Sequence, residues 1–378
     1  MAAPHPHQPG TLGDMVMPAT TSPWCCPVCR GDLSTVAERS SCRSCANTYP
    51  VIAGIPDLRV DRQAWINFEH DRKRALEIEA HVGTSGLESA IRDVFRSSRG
   101  MTEDKSSLRT RQVLKGVDKC SSQIQGWLEP LLIPPAIEIG CGPGQLLAAA
   151  ARHGKSLSGL DVSLEWLVIA KHLARANGGD VHLAAGMAER LPLQSSSMKS
   201  VISLDVIEHV GDQPACCQEI IRVLAPEGRF GLSTPNRFSL SPEPHVGVWG
   251  VGYLPVALQP AWVKLVSGQD YAFTRLLSRS EMLRLFAPSD DIEADVVFPE
   301  ISDEDIALFT GPKAKLARLY NQSLALGFLK WVLPLFGAYY RVQGRKLGTQ
   351  DPPIRRRGFP EQAGAEKPAQ AAPSQRAG

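Results

Sequence analysis

Glu138-Ile-Gly140-Cys-Gly142-Pro-Gly144 is the stretch that decides the fold, because it joins a predicted strand to a predicted helix. Its alternate glycines let the backbone turn tightly and approach a bound group closely. Pro143 suits a first helical turn, and Gly154 stands where such a helix commonly ends. Asp161 follows about twenty residues on, where a ribose-binding carboxylate is expected. The stretch therefore predicts a turn that binds a nucleoside.

The spacing of these glycines distinguishes two kinds of nucleotide. A dinucleotide-binding turn reads G-x-G-x-x-G and places a pyrophosphate at the N-terminus of the helix. Here the pattern is G-x-G-x-G, and Glu138 stands two residues before the first glycine. A carboxylate at that point repels a pyrophosphate, but it can hold the ammonium group of a methionine moiety. The pattern favours S-adenosylmethionine over NAD.

Around this turn, short apolar runs alternate with helical stretches. This alternation predicts βαβ units and a parallel sheet that is covered on both faces. Strands are expected at 136–139, 156–160, 181–184, 201–204 and 229–233, and helices at 143–153, 163–176 and 213–224. Residues 338–346 have the pattern of one further strand. An α/β fold follows.

Five of the nine cysteines lie close together near the N-terminus. Cys26 and Cys29 form one CxxC pair, Cys42 and Cys45 form a second, and Cys25 is left over. Two such pairs at short separation are the ligand set of a zinc ribbon, because four thiolates complete a tetrahedron around one ion. A closed site of this kind leaves no position for substrate, so this zinc is expected to stabilise a small domain.

Charge and hydropathy narrow the class of protein further. The chain of 378 residues has a net charge of only +2, which disfavours a protein that works by wrapping nucleic acid. The N-terminal residues lack the basic and apolar regions of a signal peptide. The most apolar late stretch, 324–340, contains Lys330 and Pro334 and is shorter than the roughly 20 apolar residues of a membrane span. We therefore expect a soluble, cytoplasmic protein.

Residues 136–240 resemble a class I S-adenosylmethionine-dependent methyltransferase of the ubiquinone/menaquinone-biosynthesis type. Five stretches match the family in its own order: 138–144, 159–163, 186–193, 203–210 and 222–237. The resemblance implies an enzyme with a Rossmann-like sheet, mostly parallel, in which 338–346 is an antiparallel edge strand. The segment 49–58 resembles the tail of small zinc-ribbon modules of the tRNA-methyltransferase-activator type, which often precede such domains.

The resemblance also implies which residues bind the cofactor. The methionine end would lie on the loop, the ribose at the end of the second strand, and the adenine after the third. The residues are Glu138, Gly140, Cys141, Gly142, Gly144, Asp161, Val162, Ala188, Glu189 and Asp205. Met187 stands where the family usually has an acid that bonds the adenine amino group, so an apolar contact with the ring is expected there.

Asp205, Glu208 and His209 are the candidate catalytic residues, because they follow the fourth strand at the edge where open α/β sheets keep their reacting groups. A similar acid-x-x-Glu-His group in ubiquinone-biosynthesis O-methyltransferases is associated with a divalent metal. His209 as a general base is a second interpretation. In a third interpretation the Glu-His pair shapes the cofactor pocket and caps the following helix.

The motifs divide the chain into a disordered segment 1–22, a zinc ribbon 23–60, a helical linker or cap 61–132, a methyltransferase domain 133–348 and a disordered tail 349–378. An insertion at 239–279 is either a lid, with His245 and Trp249 facing a hydrophobic acceptor, or a packed loop. Residues 316–336 are either core helices or an amphipathic surface that rests on a membrane.

Three functions remain open from sequence. The leading hypothesis is O-methylation of a small or lipophilic acceptor, such as a quinone precursor, a secondary metabolite or a lipid-linked sugar. The alternative is an rRNA or tRNA base methyltransferase that uses the ribbon to contact RNA, although the ribbon's four arginines are largely offset by acids. The third is a non-enzymatic scaffold whose ribbon docks a protein partner.

Overall fold

The computed structural model describes residues 22–60, 66–97, 101–301, 306–307, 311–325 and 333–348. The two segments predicted to be disordered, 1–22 and 349–378, lie outside the described residues apart from Ser22. Parts of the linker and of the late segment 316–336 also lie outside them.

A small antiparallel sheet forms the N-terminal region. Its four strands follow one another in chain order: β1 (Leu33–Val36), β2 (Arg39–Cys42), β3 (Thr48–Ile52) and β4 (Ile55–Pro56). Tyr49 and Val51 alternate along β3 and are both buried, as expected for a strand with one covered face. The two CxxC pairs lie at the ends of this sheet.

Helices α1 (Phe68–Ser85), α2 (Leu87–Arg96) and α3 (Glu103–Gln123) follow, and α3 continues into a π-helical turn, Ile124–Leu128. Two of these helices begin at a side-chain cap, which satisfies one of the backbone N–H groups left free in a first turn. Asn67 accepts from the N–H of His70, and Thr102 accepts from the N–H of Lys105.

A seven-stranded sheet forms the centre of the molecule. Its strands are β5 (Ala136–Ile139), β6 (Ser158–Asp161), β7 (Leu183–Ala185), β8 (Met198–Leu204), β9 (Leu224–Pro235), β10 (Ile292–Val297) and β11 (Tyr339–Lys346). They lie in the order β10-β11-β9-β8-β5-β6-β7, with β5 to β9 parallel and with β11 and β10 antiparallel to their neighbours. The predicted fold class is confirmed, and residues 339–346 form the predicted antiparallel strand. This strand is not at the edge of the sheet as expected, because β10 pairs with its outer side and takes the edge position.

The remaining helices are α4 (Gln145–Arg152), α5 (Leu164–Ala176), α6 (Gln213–Val223), α7 (Gln259–Ser267), α8 (Arg279–Phe286) and α9 (Pro312–Ala325). Alternate residues of the strands enter two apolar clusters. One cluster joins α1, α2 and α3 to α4 and α5, and the other joins the small sheet to α6 and α8. No helix of the described part of the chain is both long and apolar enough to cross a membrane.

Strand order reverses at β5, since its chain successor β6 lies on one side and β8 on the other. Ligands bind open α/β sheets at such a switch point, outside the carboxyl ends of the strands. The turn there needs glycine for two reasons. A Cβ on Gly140 would lie 2.3 Å from Val206, and Gly144 has a φ of +78° with Ala170 2.6 Å from the position of a Cβ.

The N-terminal sheet is joined to the larger sheet by backbone bonds. The N–H of Leu58 donates to the carbonyl of Ala185 in β7, and the N–H of Cys25 donates to the carbonyl of Pro192, each over 2.8 Å. Leu58 is buried in the same apolar cluster as Ile137 and Leu160 of the central strands. The two sheets therefore share one core.

Replacing Leu58 by Ala is expected to lower the free energy of unfolding by about 2–5 kcal/mol, because it leaves a cavity in this shared core. Leu76→Ala is the matched control, since Leu76 is 52% exposed on α1 and its loss should change stability by about 0.5 kcal/mol or less. Urea unfolding followed by circular dichroism measures both. Equal, small effects would mean that the N-terminal sheet does not pack into the core.

Candidate functional site

A cavity of about 230 Å³ lies at the carboxyl ends of β5, β6 and β8. Six of the predicted cofactor residues line it, and two predicted catalytic residues do so, since Asp205 belongs to both sets. They are Gly140, Asp161, Val162, Ala188, Glu189, Asp205 and His209. Met187 also lines it, which is compatible with the apolar contact expected there. The residues that line the cavity do not include Glu138, Cys141, Gly142, Gly144 or Glu208.

Asp161 occupies the end of β6 and joins two backbone segments. Its Oδ2 accepts from the N–H of Gly142 over 2.8 Å, and its Oδ1 accepts from the N–H of Ser163 over 2.9 Å. Burial raises the pKa of Asp161, and the two N–H donors oppose that rise. A carboxylate has about four acceptor sites, so this side chain can still accept two ribose hydroxyls.

Glu138 lies in β5, behind the loop, and is buried. Its Oε2 has no hydrogen-bond partner among the described residues. Burial, and then the nearby charge of Asp161, raise the pKa of Glu138 well above its usual range. A buried carboxylate oxygen without a partner is costly unless a ligand satisfies it. An ammonium group is the natural complement.

Cys141 contributes to the loop only through its backbone. Its side chain lies in the apolar cluster, and its Sγ is 2.9 Å from the position of a Cβ on Gly159 in β6. Burial raises the pKa of the Cys141 thiol well above its usual range, so the thiol stays neutral. The prediction that this residue binds the cofactor therefore concerns its main chain.

The predicted catalytic residues follow β8. Asp205 has a φ of +56°, a strained value for a residue with a side chain, and its Oδ1 accepts from the Ser233 hydroxyl over 2.9 Å. Glu208 is buried, and its Oε2 accepts from the Thr234 hydroxyl over 3.0 Å. Burial, with the charge of Asp205 added, raises the pKa of Glu208 to about 7. The other oxygen of Glu208 has no partner in the described structure.

The insertion brings a second histidine to this edge. The rings of His209 and His245 meet edge to face, with centroids 4.6 Å apart. Buried Glu243 accepts from the backbone N–H groups of His245 and Val246 and lies 2.5 Å from Nδ1 of the His245 ring. Sequence reasoning named His245 but missed Glu243, whose only signal was its place two residues before the histidine.

The pKa values of the two histidines are shifted in opposite directions, and the groups converge in space. The hydrogen bond with Glu243 raises the pKa of His245, whereas partial desolvation and then the neighbouring His245 lower the pKa of His209. One ligand atom each of Glu208, His209 and His245 lies within 4.8 Å of the others. The arrangement can either accept a proton from an acceptor hydroxyl or hold a divalent cation. The helix that follows is capped by Asp212, not by the Glu-His pair.

The four cysteines of the two CxxC pairs converge, with their sulfur atoms within 4.8 Å of one another. Cys26 and Cys45 sulfurs are 3.6 Å apart, and Cys29 and Cys42 sulfurs are 3.4 Å apart. A tetrahedron with Zn–S bonds of about 2.3 Å has sulfurs about 3.8 Å apart, so this donor set fits zinc. Cys25 is outside the group, and burial raises the pKa of its thiol to about 11.

Known proteins resemble the part of the chain that surrounds the cavity. Residues 137–232 match the family model described as a methyltransferase domain. A probable S-adenosylmethionine-dependent methyltransferase of Mycolicibacterium smegmatis is 37% identical over 106 residues, 28% of this chain and 40% of that protein. The ubiquinone biosynthesis O-methyltransferase of Idiomarina loihiensis is 28% identical over 163 residues, 43% of this chain and 63% of that protein.

Among solved structures, an S-adenosylmethionine-dependent methyltransferase from Mesorhizobium loti aligns with a TM-score of 0.41 and 18% identity, over 61% of this chain and 100% of that one. The chain spans about half the length of the curated relatives it matches. The family model does not extend to the cysteine cluster. Residues 137–232 thus match a methyltransferase domain, and the strand order described above is that of the Rossmann-like methyltransferase fold.

Proposed function

We propose that the protein transfers a methyl group from S-adenosylmethionine to the hydroxyl of a small or lipophilic acceptor. The observation that carries the proposal is the pair of carboxylates at the switch point. Asp161 keeps free acceptor sites after two backbone bonds, and Glu138 keeps a buried oxygen without a partner in the described structure. These two groups complement the ribose hydroxyls and the ammonium group of one ligand.

Each predicted cofactor residue then has a definite task. S-adenosylmethionine supplies a methyl group on a positively charged sulfur. Glu138 holds the ammonium group, Asp161 accepts the ribose hydroxyls, and the backbone from Gly140 to Gly144 gives the close approach that side chains would block. The adenine side of the cavity is formed by Val162, Met187, Ala188 and Glu189. Asp205 lines the side that would face the sulfur.

His209 is proposed as the base that takes the proton from the acceptor. Its lowered pKa keeps the ring neutral near pH 7, so a ring nitrogen is free to accept a proton. The charges of Glu243 and Asp205 favour the imidazolium that forms. Proximity of the acceptor oxygen to the methyl group supplies the rest of the rate enhancement.

A divalent cation is the second candidate for acceptor activation. The supporting observation is that His245 joins Glu208 and His209, which gives two imidazoles and one carboxylate in place of the predicted set with Asp205. The site would hold the cation through these three side chains and leave positions for two acceptor oxygens. The donor set fits a transition metal better than Mg²⁺, which prefers oxygen ligands.

The insertion supports a lipophilic acceptor. It carries large apolar side chains that are exposed to solvent: Trp249, Tyr253, Leu258, Trp262, Leu265 and Phe273. The backbone carbonyl of Phe273 lies 3.4 Å from Nδ1 of His209, so the segment of the insertion that carries Phe273 reaches the reacting edge. Leu316 and Leu319 of α9 are exposed as well, which keeps a peripheral membrane contact among the hypotheses for this segment.

The RNA alternative has less support, because the ribbon has few free cations. Arg59 is buried in ion pairs with Asp57 and Asp71, and Arg30 pairs with Glu219 of α6. Two of the four ribbon arginines are thus engaged inside the protein, which leaves a weak electrostatic surface for phosphates. The ribbon's contacts with the central sheet also give it a role without RNA or a separate protein partner.

Binding of S-adenosylhomocysteine measured by isothermal titration calorimetry tests the cofactor assignment. Asp161→Ala is expected to weaken binding at least 100-fold, since hydrogen bonds from two hydroxyls to a charged carboxylate are worth about 1.5–3 kcal/mol each. Asp180→Ala is the control, because Asp180 is exposed and pairs with Arg175 at the surface. Failure of the wild-type protein to bind this ligand would contradict the proposed function.

Turnover of the His209→Ala variant tests the chemistry, with an acceptor found by screening phenols and catechols against methyl-labelled cofactor. We expect kcat to fall about 100-fold or more while the affinity for S-adenosylhomocysteine is retained. His70→Ala on the exposed side of α1 is the control. Loss of wild-type turnover in EDTA, restored by a divalent cation, would assign the cluster to a metal. Unchanged turnover of the variant would rule out both roles.

We further propose that Cys26, Cys29, Cys42 and Cys45 hold one structural zinc. Metal analysis of the purified protein is expected to give one zinc per chain, and Cys42→Ser is expected to lose it. Cys25→Ser should keep the zinc, because Cys25 lies outside the converging sulfurs. The opposite pattern, with zinc lost from Cys25→Ser and kept by Cys42→Ser, would contradict this ligand set.

A further inference from the structure

A buried ion cluster lies where the chain leaves the N-terminal sheet. The Arg59 side chain has no exposed surface, and its Nε and Nη2 donate to the two carboxylate oxygens of Asp57 over 2.7 and 2.8 Å. Its Nη1 donates to Oδ2 of Asp71 in α1 over 2.6 Å. Arg72 donates to Asp57 over 2.7 Å, so two cations balance two anions. The Phe68 ring covers the guanidinium, 4.2 Å from Cζ.

The cluster also reaches the loop that follows β6. Nη1 of Arg59 donates to the carbonyl of Val162 over 2.7 Å, and Val162 lines the cavity directly after Asp161. Oδ2 of Asp71 accepts from the N–H of Leu164 over 2.9 Å, and its Oδ1 accepts from the Ser163 hydroxyl over 3.3 Å. Asp71 thus caps α5, whose own N-cap residue Ser163 makes no such bond.

Neither Arg59 nor Asp71 lines the cavity, yet together they contact three consecutive residues after Asp161. One of these residues, Ser163, gives its N–H to the Asp161 carboxylate. The orientation of that carboxylate therefore depends on a loop that Arg59, just after the N-terminal sheet, and Asp71 of α1 hold in place.

We propose that Arg59 and Asp71 are positioning residues for cofactor binding, which couple the N-terminal ribbon to the ribose site through the loop 161–164. The inference rests on the proposed function, since it assumes that Asp161 binds a ribose. Arginine is required because one planar guanidinium bonds Asp57, Asp71 and a carbonyl at once, which a lysine ammonium cannot do with the same geometry. The positive charge of Arg59 also compensates the two buried carboxylates of Asp57 and Asp71.

Selectivity for the ribose hydroxyls is the measurement that separates positioning from mere stability. The probes are S-adenosylhomocysteine and its analogue without the 2′ and 3′ hydroxyls, each titrated by calorimetry at a temperature where urea unfolding shows the variant to be folded. The wild-type protein is expected to prefer the first ligand at least 100-fold, and Asp161→Ala to lose this preference. The ratio of two affinities is independent of the folded fraction.

Arg59→Lys and Asp71→Asn are expected to lower this preference at least tenfold, although neither side chain touches the cavity. The matched control is Arg72→Met, which removes a cation of the same cluster whose bonds, in the described part of the chain, go to Asp57 and Glu69. It is expected to keep the wild-type preference.

Three outcomes decide the matter. A reduced preference in both variants and a normal one in the control supports the proposal. A wild-type preference in Arg59→Lys and Asp71→Asn overturns it and leaves the cofactor assignment intact. A wild-type protein that binds neither ligand overturns the proposed function itself, and this inference with it.

Discussion

The carboxylate of Asp161 is the constraint on which the rest of the site depends. It accepts one N–H from the glycine-rich loop, at Gly142, and one from the start of α5, at Ser163. The first bond ties the turn after β5 to the end of β6, and the second ties the end of β6 to the start of α5, where the strand order reverses. Moving any one of the three segments would break a hydrogen bond in a largely desolvated place, so they form a single rigid unit.

The N-terminal region extends this unit outward. Its chain runs beside β7 through the Leu58–Ala185 bond, and its last arginine bonds the loop that orients Asp161. The cysteine cluster belongs to the same small sheet, and Cys25 and Arg30 beside it bond Pro192 and Glu219. A zinc there would therefore act on the larger sheet through these contacts, through packing and through the ion cluster. The small sheet and the larger sheet share one core, and the residues proposed for the chemistry follow strands of the larger sheet or lie in the insertion.

Sequence predicted the fold class because each element of the central sheet carries its own apolar pattern. The strand β10 was missed, since Glu293 and Asp295 alternate with its buried residues at an edge and hide the apolar run. The site residues at 138–144, 161 and 205–209 were predicted because they follow strands that end at one edge. The contact of Arg59 with Val162 spans 103 residues and leaves no local pattern in the sequence. The contact between the rings of His209 and His245 also leaves no local pattern.

A crystal structure of the protein with S-adenosylhomocysteine tests the central claim most directly. The account predicts both ribose hydroxyls within about 3 Å of the Asp161 carboxylate and the amino group of the ligand within hydrogen-bond reach of Glu138. It also predicts that the Gly142 and Ser163 N–H bonds to Asp161 remain. A nucleoside bound elsewhere, or an Asp161 that points away from the ribose, would contradict it.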